Sequence, residues 1–278
     1  MKPAGELYKT LTEGISRFFN EAGKKKAILG ISGGLDSAVV AALAADALGK
    51  ENVHGLLLPG PYSTIHSITD ALKLCSLNGL NYHIVPIDSI YQKFLRELSS
   101  VFEHTQPDVT EENIQARIRG VFLMAYANKK NALLLCTSNK SELAMGYGTL
   151  YGDLTGALMV LGDVYKTQVY ELAAFLNKDT ERIPEHTLRK APSAELRIDQ
   201  KDTDSLPAYH LLDPILFSLF EEGRSAEQIM ESGTPPDLVR EVAGKAGHYQ
   251  FKYLQVPPVL AVTEHPLLPE NKCYRYKK

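Results

Sequence analysis

The segment Gly30-Ile31-Ser32-Gly33-Gly34-Leu35-Asp36-Ser37 joins an apolar run to an alanine-rich stretch of helical pattern. Glycines at a strand-to-helix turn let the backbone approach a ligand, and the unpaired N–H groups at a helix start attract phosphate. The segment is therefore expected to cradle an anion. It lacks the lysine of GxxxxGK[ST], and its glycines do not fit GxGxxG, so the ordinary P-loop and the dinucleotide fingerprint are both excluded. An aspartate beside a phosphate repels it unless a divalent cation lies between them, so Asp36 is expected to hold magnesium. The plainer alternative is a glycine turn in which Asp36 only caps the helix.

Five further segments follow in order: Asn113-Ile114-Gln115-Ala116-Arg117-Ile118-Arg119, Cys136-Thr137-Ser138-Asn139-Lys140-Ser141-Glu142, Tyr151-Gly152-Asp153, Tyr165-Lys166-Thr167-Gln168 and Pro192-Ser193-Ala194-Glu195-Leu196. Thr137 follows the fourth predicted strand. In a doubly wound sheet the loops beyond the strands at the switch point form the ligand crevice, so its hydroxyl is expected to face the same nucleotide as Ser32. A simple hydroxyl-capped turn is the alternative. Lys166 near a helix start opposes the helix dipole, and a bound anion would account for it; otherwise it is a surface lysine with its stem laid along the protein. Asp153 sits in a glycine-rich turn, where a lone aspartate is usually structural. Asn113 and Arg117 share one helix face, beside the stripe Ile114, Ile118, Val121, Ala125; the alternative there is an amphipathic surface helix with a solvated arginine.

The elements that position these residues alternate between apolar runs and periodic stretches, which is the α/β pattern. Strands are predicted at 27–31, 53–58, 82–85 and 132–136, with a short apolar piece at 158–161. Helices are predicted at 37–48, 67–77, 90–102, 111–128 and 165–176. The polar, proline-punctuated stretch 178–207 reads as one long loop. Helical patterns resume at 210–221, 226–231 and 236–245, and the basic end Lys272–Lys278 reads as a solvated tail.

Composition limits the class. The 278 residues are 44% hydrophobic and 23% charged, ordinary values for a folded globular chain. Thirty basic against thirty-three acidic side chains give a net charge of -3, so no global field draws the chain to nucleic acid or acidic lipid, and neither is an expected partner. Three scattered cysteines form no zinc spacing and leave one unpaired, which suits a reducing compartment. The N-terminal residues lack the apolar core of a signal peptide, and no eighteen apolar residues run together. A cytoplasmic location is expected.

The SGGxDS turn resembles the PP-loop of the ATP pyrophosphatase superfamily, whose members cleave ATP between the α and β phosphates. With the five ordered segments the chain is similar to NAD synthetase from about residue 10 to 258. The stretch LPGPYSTIHSITDA and Asp204-Ser205-Leu206-Pro207 bring it closer to the synthetase domain of glutamine-dependent members. The resemblance implies a doubly wound, mainly parallel, Rossmann-like sheet of the adenine nucleotide alpha hydrolase type with a helical C-terminal extension. It treats residues 1–278 as one domain with an α/β core at about 10–177. It implies that ATP meets Gly30 through Ser37, Thr137, Lys166 and Ser193, that Asp36 and Lys166 are catalytic, and that Asp36, Glu142 and Asp153 are metal ligands. It further implies that deamido-NAD meets Asn113, Arg117, Asp204 and Lys252, with the Asn113 helix crossing a homodimer interface. The chain departs from the family at Phe251-Lys252-Tyr253-Leu254-Gln255, where the basic run is reduced to Lys252, and at Leu154-Thr155-Gly156-Ala157, where an aspartate has no clear equivalent.

The implied reaction is amidation of deamido-NAD to NAD, with ATP as co-substrate and release of AMP and pyrophosphate. Ammonia is the expected nitrogen source: glutamine use requires a nucleophilic cysteine in a hydrolase domain, about 250 residues of synthetase leave no room for one, and no cysteine precedes Cys75. A tRNA thiolase would instead want cysteines near the loops and a basic surface. A nucleotide-sensing module would have no use for a pyrophosphate pocket with two metal carboxylates.

Overall fold

The computed structural model describes residues 2–103 and 105–275. Seven strands are named within it: β1 (Ala27–Gly30), β2 (Val53–Leu57), β3 (Asn81–Ile84), β4 (Leu133–Cys136), β5 (Leu158–Met159), β6 (Val259–Ala261) and β7 (Cys273–Arg275). They form one parallel sheet in the order β3-β2-β1-β4-β5-β6-β7. Ala27, Ile28 and Leu29 are all buried, because a parallel sheet covered on both faces has no wet side. Ile28, with Leu56 and Leu134, faces a core shared with α4 (Asp88–Leu98) and α5 (Val109–Lys129). Ala27 and Leu29 face the opposite core, made with α1 (Ala4–Glu21), α2 (Leu35–Leu48), α3 (Ile65–Asn78) and α7 (Lys166–Leu176). α2 is buried on nearly every side from Leu35 to Ala45, as a helix of small apolar residues must be to lie close against a sheet.

The strand order reverses between β1 and β4, so the connections leaving them part in opposite directions and open a crevice at their carboxyl ends. That opening receives the glycine-rich turn after β1 and the Thr137 turn after β4. The α/β architecture agrees with the expected class.

Several expectations are corrected. α1 is not among the expected elements, although Leu7, Leu11, Ile15 and Phe19 recur at one face and are all buried. The stretch 178–207 is not a featureless loop: it contains α8 (Glu185–Arg189) and a short 3-10 turn at Asp202–Asp204. The expected helices appear as α9 (Tyr209–Phe220), α10 (Ala226–Glu231) and α11 (Pro236–His248), which pack mainly on one another. Beyond them the chain returns to the sheet as β6 and β7, so the C-terminal part is only partly helical and the core does not stop near residue 177. A Cβ at Gly14 of α1 would lie 2.6 Å from Leu260 of β6, which shows how tightly the two ends of the chain pack. The tail is not simply solvated, since Tyr274 of β7 hydrogen-bonds Glu21 at 2.9 Å and stacks edge-on against Phe18; Tyr276–Lys278 lie outside the described residues. Of the stripe on α5, Ile114 and Ile118 are buried against the core that holds Leu58, Ile87 and Tyr91, whereas Val121 and Ala125 emerge uncovered.

Candidate active site

The turn after β1 is tied to its neighbour strand by Ile31 N–H donating to Leu56 O at 2.9 Å, and it folds on its own hydroxyls. Gly34 N–H donates to Ser32 Oγ at 3.1 Å, and Ser37 Oγ donates back to Gly34 O at 3.0 Å. Gly33 has φ +81°, and a Cβ there would fall 2.2 Å from Ser67 O, so glycine is obligatory on both counts. Gly30, Ile31, Ser32 and Gly34 through Ser37 line a cavity of about 900 Å³, while Gly33 is not among its lining residues.

Opposite charges meet in that cavity. Lys166, the first residue of α7, donates its Nζ to Asp36 Oδ2 and stands 3.8 Å from Glu142 Oε1. The other oxygen of Asp36 accepts Asn139 Nδ2 at 3.0 Å, and Asn139 also caps α6 (Lys140–Ala144) through Glu142 N–H. Burial pulls the lysine toward neutrality, but Asp36 and Glu142 outweigh it and hold the ammonium above its ordinary range. Burial and the neighbouring Asp36 push Glu142 well above the usual carboxylate range, with Lys166 only partly opposing. The unfavourable place of Lys166 at a helix start is met by the protein itself: Asp213 accepts Thr167 N–H at 2.8 Å and Ser141 Oγ at 2.6 Å, and Ser141 accepts Lys166 N–H at 2.9 Å.

Asp36 and Glu142 are hard oxygen donors sharing one cation, a set that suits magnesium completed by phosphate and water oxygens. Among the described residues, no group of three or more His, Cys, Asp or Glu is placed to hold a metal. Asp153 lines the cavity but is not joined to that pair; it accepts Thr149 N–H at 2.8 Å in its own turn. Thr137, Ser193, Asn113 and Lys252 also line the cavity. Lys252 donates to Gly146 O at 2.6 Å and Gly148 O at 2.7 Å, holding the loop beyond α6.

Two expected residues are not brought there. Arg117 is exposed, with Nε directed to Leu150 O at 3.3 Å, and Asp204 pairs with Arg197 at 3.0 Å. Their places in the cavity wall are taken by Arg119 and Asp202, each two residues away. Asp202 accepts Tyr209 Oη at 2.8 Å and Tyr147 Oη at 3.1 Å. Glu195, for which the sequence implies no role, binds the start of α3 through Thr64 and Ser67.

The family model for NAD synthase matches residues 7–257. The chain belongs to the NAD synthase family. It is 48% identical over 259 residues to the glutamine-dependent NAD(+) synthetase of Synechocystis, covering 93% of this chain and 46% of that protein. The chain thus spans about half the length of such relatives. The NH3-dependent NAD synthetase of Campylobacter jejuni, solved with nitrate, is 32% identical with a TM-score of 0.74 over 91% of this chain and 96% of that one. The NMN synthetase of Francisella tularensis is 28% identical with a TM-score of 0.76, over 90% and 96% respectively. Membership of the NAD synthase family accounts for the glycine turn and the ordered motifs together, and no described helix is long and apolar enough to cross a membrane.

Proposed function

We propose that this chain amidates deamido-NAD with ammonia at the expense of ATP. A carboxylate oxygen of the nicotinate attacks the α-phosphorus and pyrophosphate leaves. Ammonia then attacks the activated acyl carbon, AMP leaves with the carboxylate oxygen, and the nitrogen loses a proton to give the amide. The observation that supports this best is the Lys166–Asp36–Glu142 cluster, set beside free helix N–H groups at the reversal of strand order. No side-chain nucleophile is needed; the work is positioning and charge neutralisation. Backbone N–H groups at the start of α2, from Leu35 to Ser37, and the Lys166 ammonium bind phosphate oxygens, while Thr137 and Ser193 supply hydroxyls. Magnesium held by Asp36 and Glu142 would neutralise the triphosphate. Asn113 and Lys252 are proposed to bound the dinucleotide side, and Asp153 the pyrophosphate side.

Ammonia is favoured because burial pushes the thiols of Cys75 and Cys136 up to about 11 and about 12, and that of Cys273 to about 11, so none of the three is poised as a thiolate to attack glutamine. The three free thiols also suit a reducing cytoplasm. A homodimer is proposed through the uncovered line Arg117, Val121, Ala125 of α5, where Arg117 would reach the neighbour's cavity rather than its own. A mononucleotide acid substrate is the second reading, favoured by the likeness to the Francisella protein.

The test is pyrophosphate release and amide formation with ATP, magnesium and each acid, supplied with ammonium or with ammonia-free glutamine. Turnover with deamido-NAD and ammonium is expected. Equal rates with glutamine would overturn the nitrogen source, and faster turnover of the mononucleotide would overturn the substrate.

A further inference from the structure

Cations in the cavity wall mostly meet carboxylates of the protein. Lys166 is paired with Asp36, Lys190 with Asp70 at 3.3 Å, and Arg197 with Asp204. Arg119 differs. Its Nε donates to Leu58 O at 3.0 Å, but its two Nη groups have no hydrogen-bond or ion-pair partner among the described residues. Burial pulls its basicity down to about 10, and Glu195, Asp153 and Asp88 oppose this only through space. Arg119 is half-buried, and Nη donors partly withdrawn from water without partners are costly to keep; these free donors match anionic oxygens.

The surroundings keep room for that fork. A Cβ on Gly60 would lie 2.7 Å from Arg119 Nη2 and 3.3 Å from Gln115 Oε1, so the absence of a side chain there lets the guanidinium take its place. Gln115 itself is held by Nε2 donating to Leu196 O at 2.9 Å, and its buried Oε1 has no donor among the described residues. Arg119 comes from α5, on the face of the sheet opposite α2 and α7, so it enters from a different wall than Asp36 and Lys166.

We infer that Arg119 receives an anionic oxygen of a bound substrate, phosphate or carboxylate, through its two free Nη groups, with Gly60 as the positioning residue that leaves it space. The inference rests on the proposed reading that the cavity binds ATP and an anionic second substrate. The two sources share one chemistry, and affinity for each nucleotide separates them.

The full chain is titrated calorimetrically with magnesium ATP, with deamido-NAD and with inorganic pyrophosphate, as wild type, Arg119→Gln, Arg119→Lys and Gly60→Ala. Arg119→Gln should weaken at least one ligand by about ten- to a hundredfold, the loss expected for a charge-assisted contact. Arg119→Lys, which keeps the charge without the fork, should recover part of it, and Gly60→Ala should weaken the same ligand. The melting temperature of ligand-free Arg119→Gln should equal or exceed that of the wild type, since an uncompensated charge is removed. Unchanged affinities, or losses that only follow a lowered ligand-free melting temperature, would overturn the inference. If the wild type binds neither nucleotide, the proposed activity fails by itself, and equal pyrophosphate affinity in wild type and Arg119→Gln then overturns the role of Arg119 separately.

Discussion

The Lys166 ammonium is hydrogen-bonded to the Asp36 carboxylate across 130 positions of sequence. The bond joins the first turn of α2 to the first turn of α7, two helices that start at the carboxyl end of one sheet. It puts a cation and a carboxylate at the start of α2, whose first N–H groups meet no side-chain cap. The lysine neutralises carboxylate charge that, on the proposed reading, a bound metal would neutralise instead.

Removing that carboxylate should be severe. Asp36→Ala is expected to lower kcat/KM for ATP by roughly a hundredfold or more, because triphosphate charge is left uncompensated. Steady-state kinetics over a magnesium series measures this. Near-normal turnover at saturating magnesium would remove Asp36 from the metal site.

Glu142 gives a pH dependence with a definite sign. Its folded-state value is raised by burial and by Asp36, so its ionisation costs stability above that value. The cost fades as pH falls through the folded value toward the unfolded value of about 4.3. Glu142→Gln should therefore be more stable than wild type at about pH 8 without magnesium, with a difference that shrinks on acidification. Urea midpoints at several pH values check it, and a wild type that is the more stable at alkaline pH would contradict it.

Gly33 is predicted to tolerate no side chain. The positive φ alone should cost Gly33→Ala about 1–2 kcal/mol, and the 2.2 Å approach to Ser67 O adds to that. Denaturation midpoints and ATP titration should both register the change. A variant with wild-type stability and ATP affinity would show that the turn can relax.

If Arg117 serves the neighbour's cavity, Asp36→Ala and Arg117→Ala homodimers should each be nearly inactive. Their heterodimer would carry both lesions in one site and leave the other whole. Random reassociation makes about half the dimers mixed, so about a quarter of wild-type activity should return. Mixing that restores nothing, with subunit exchange verified by mass, would refute the shared site.

The local signals were legible in the sequence wherever backbone chemistry fixed them. Gly33 and Gly34 between an apolar strand and an apolar helix require a tight turn regardless of the rest of the molecule. Thr137 is placed by the apolar strand before it, and the structure shows that Asn139-Lys140-Ser141-Glu142 also carries its own capping box. The apolar spacing of α1, with Leu7, Leu11, Ile15 and Phe19 on one face, is an equally local signal.

The three-residue strands β6 and β7 were not legible, because segments so short carry almost no period of their own and exist through pairing with β5 and each other. Nor could the sequence choose between Arg117 and Arg119. The two arginines lie on one helix about 200° apart around its axis, and each is compatible with an exposed or an inward face. The packing of α5 against β1 and β4 turned Arg119 inward and Arg117 outward. A similar two-residue choice brought Asp202 rather than Asp204 to the cavity, through the hydroxyls of Tyr147 and Tyr209. Residue type and spacing determined the chemistry of the site; which member of each close pair faces it was decided by helix rotation and long-range contacts, which tertiary packing sets.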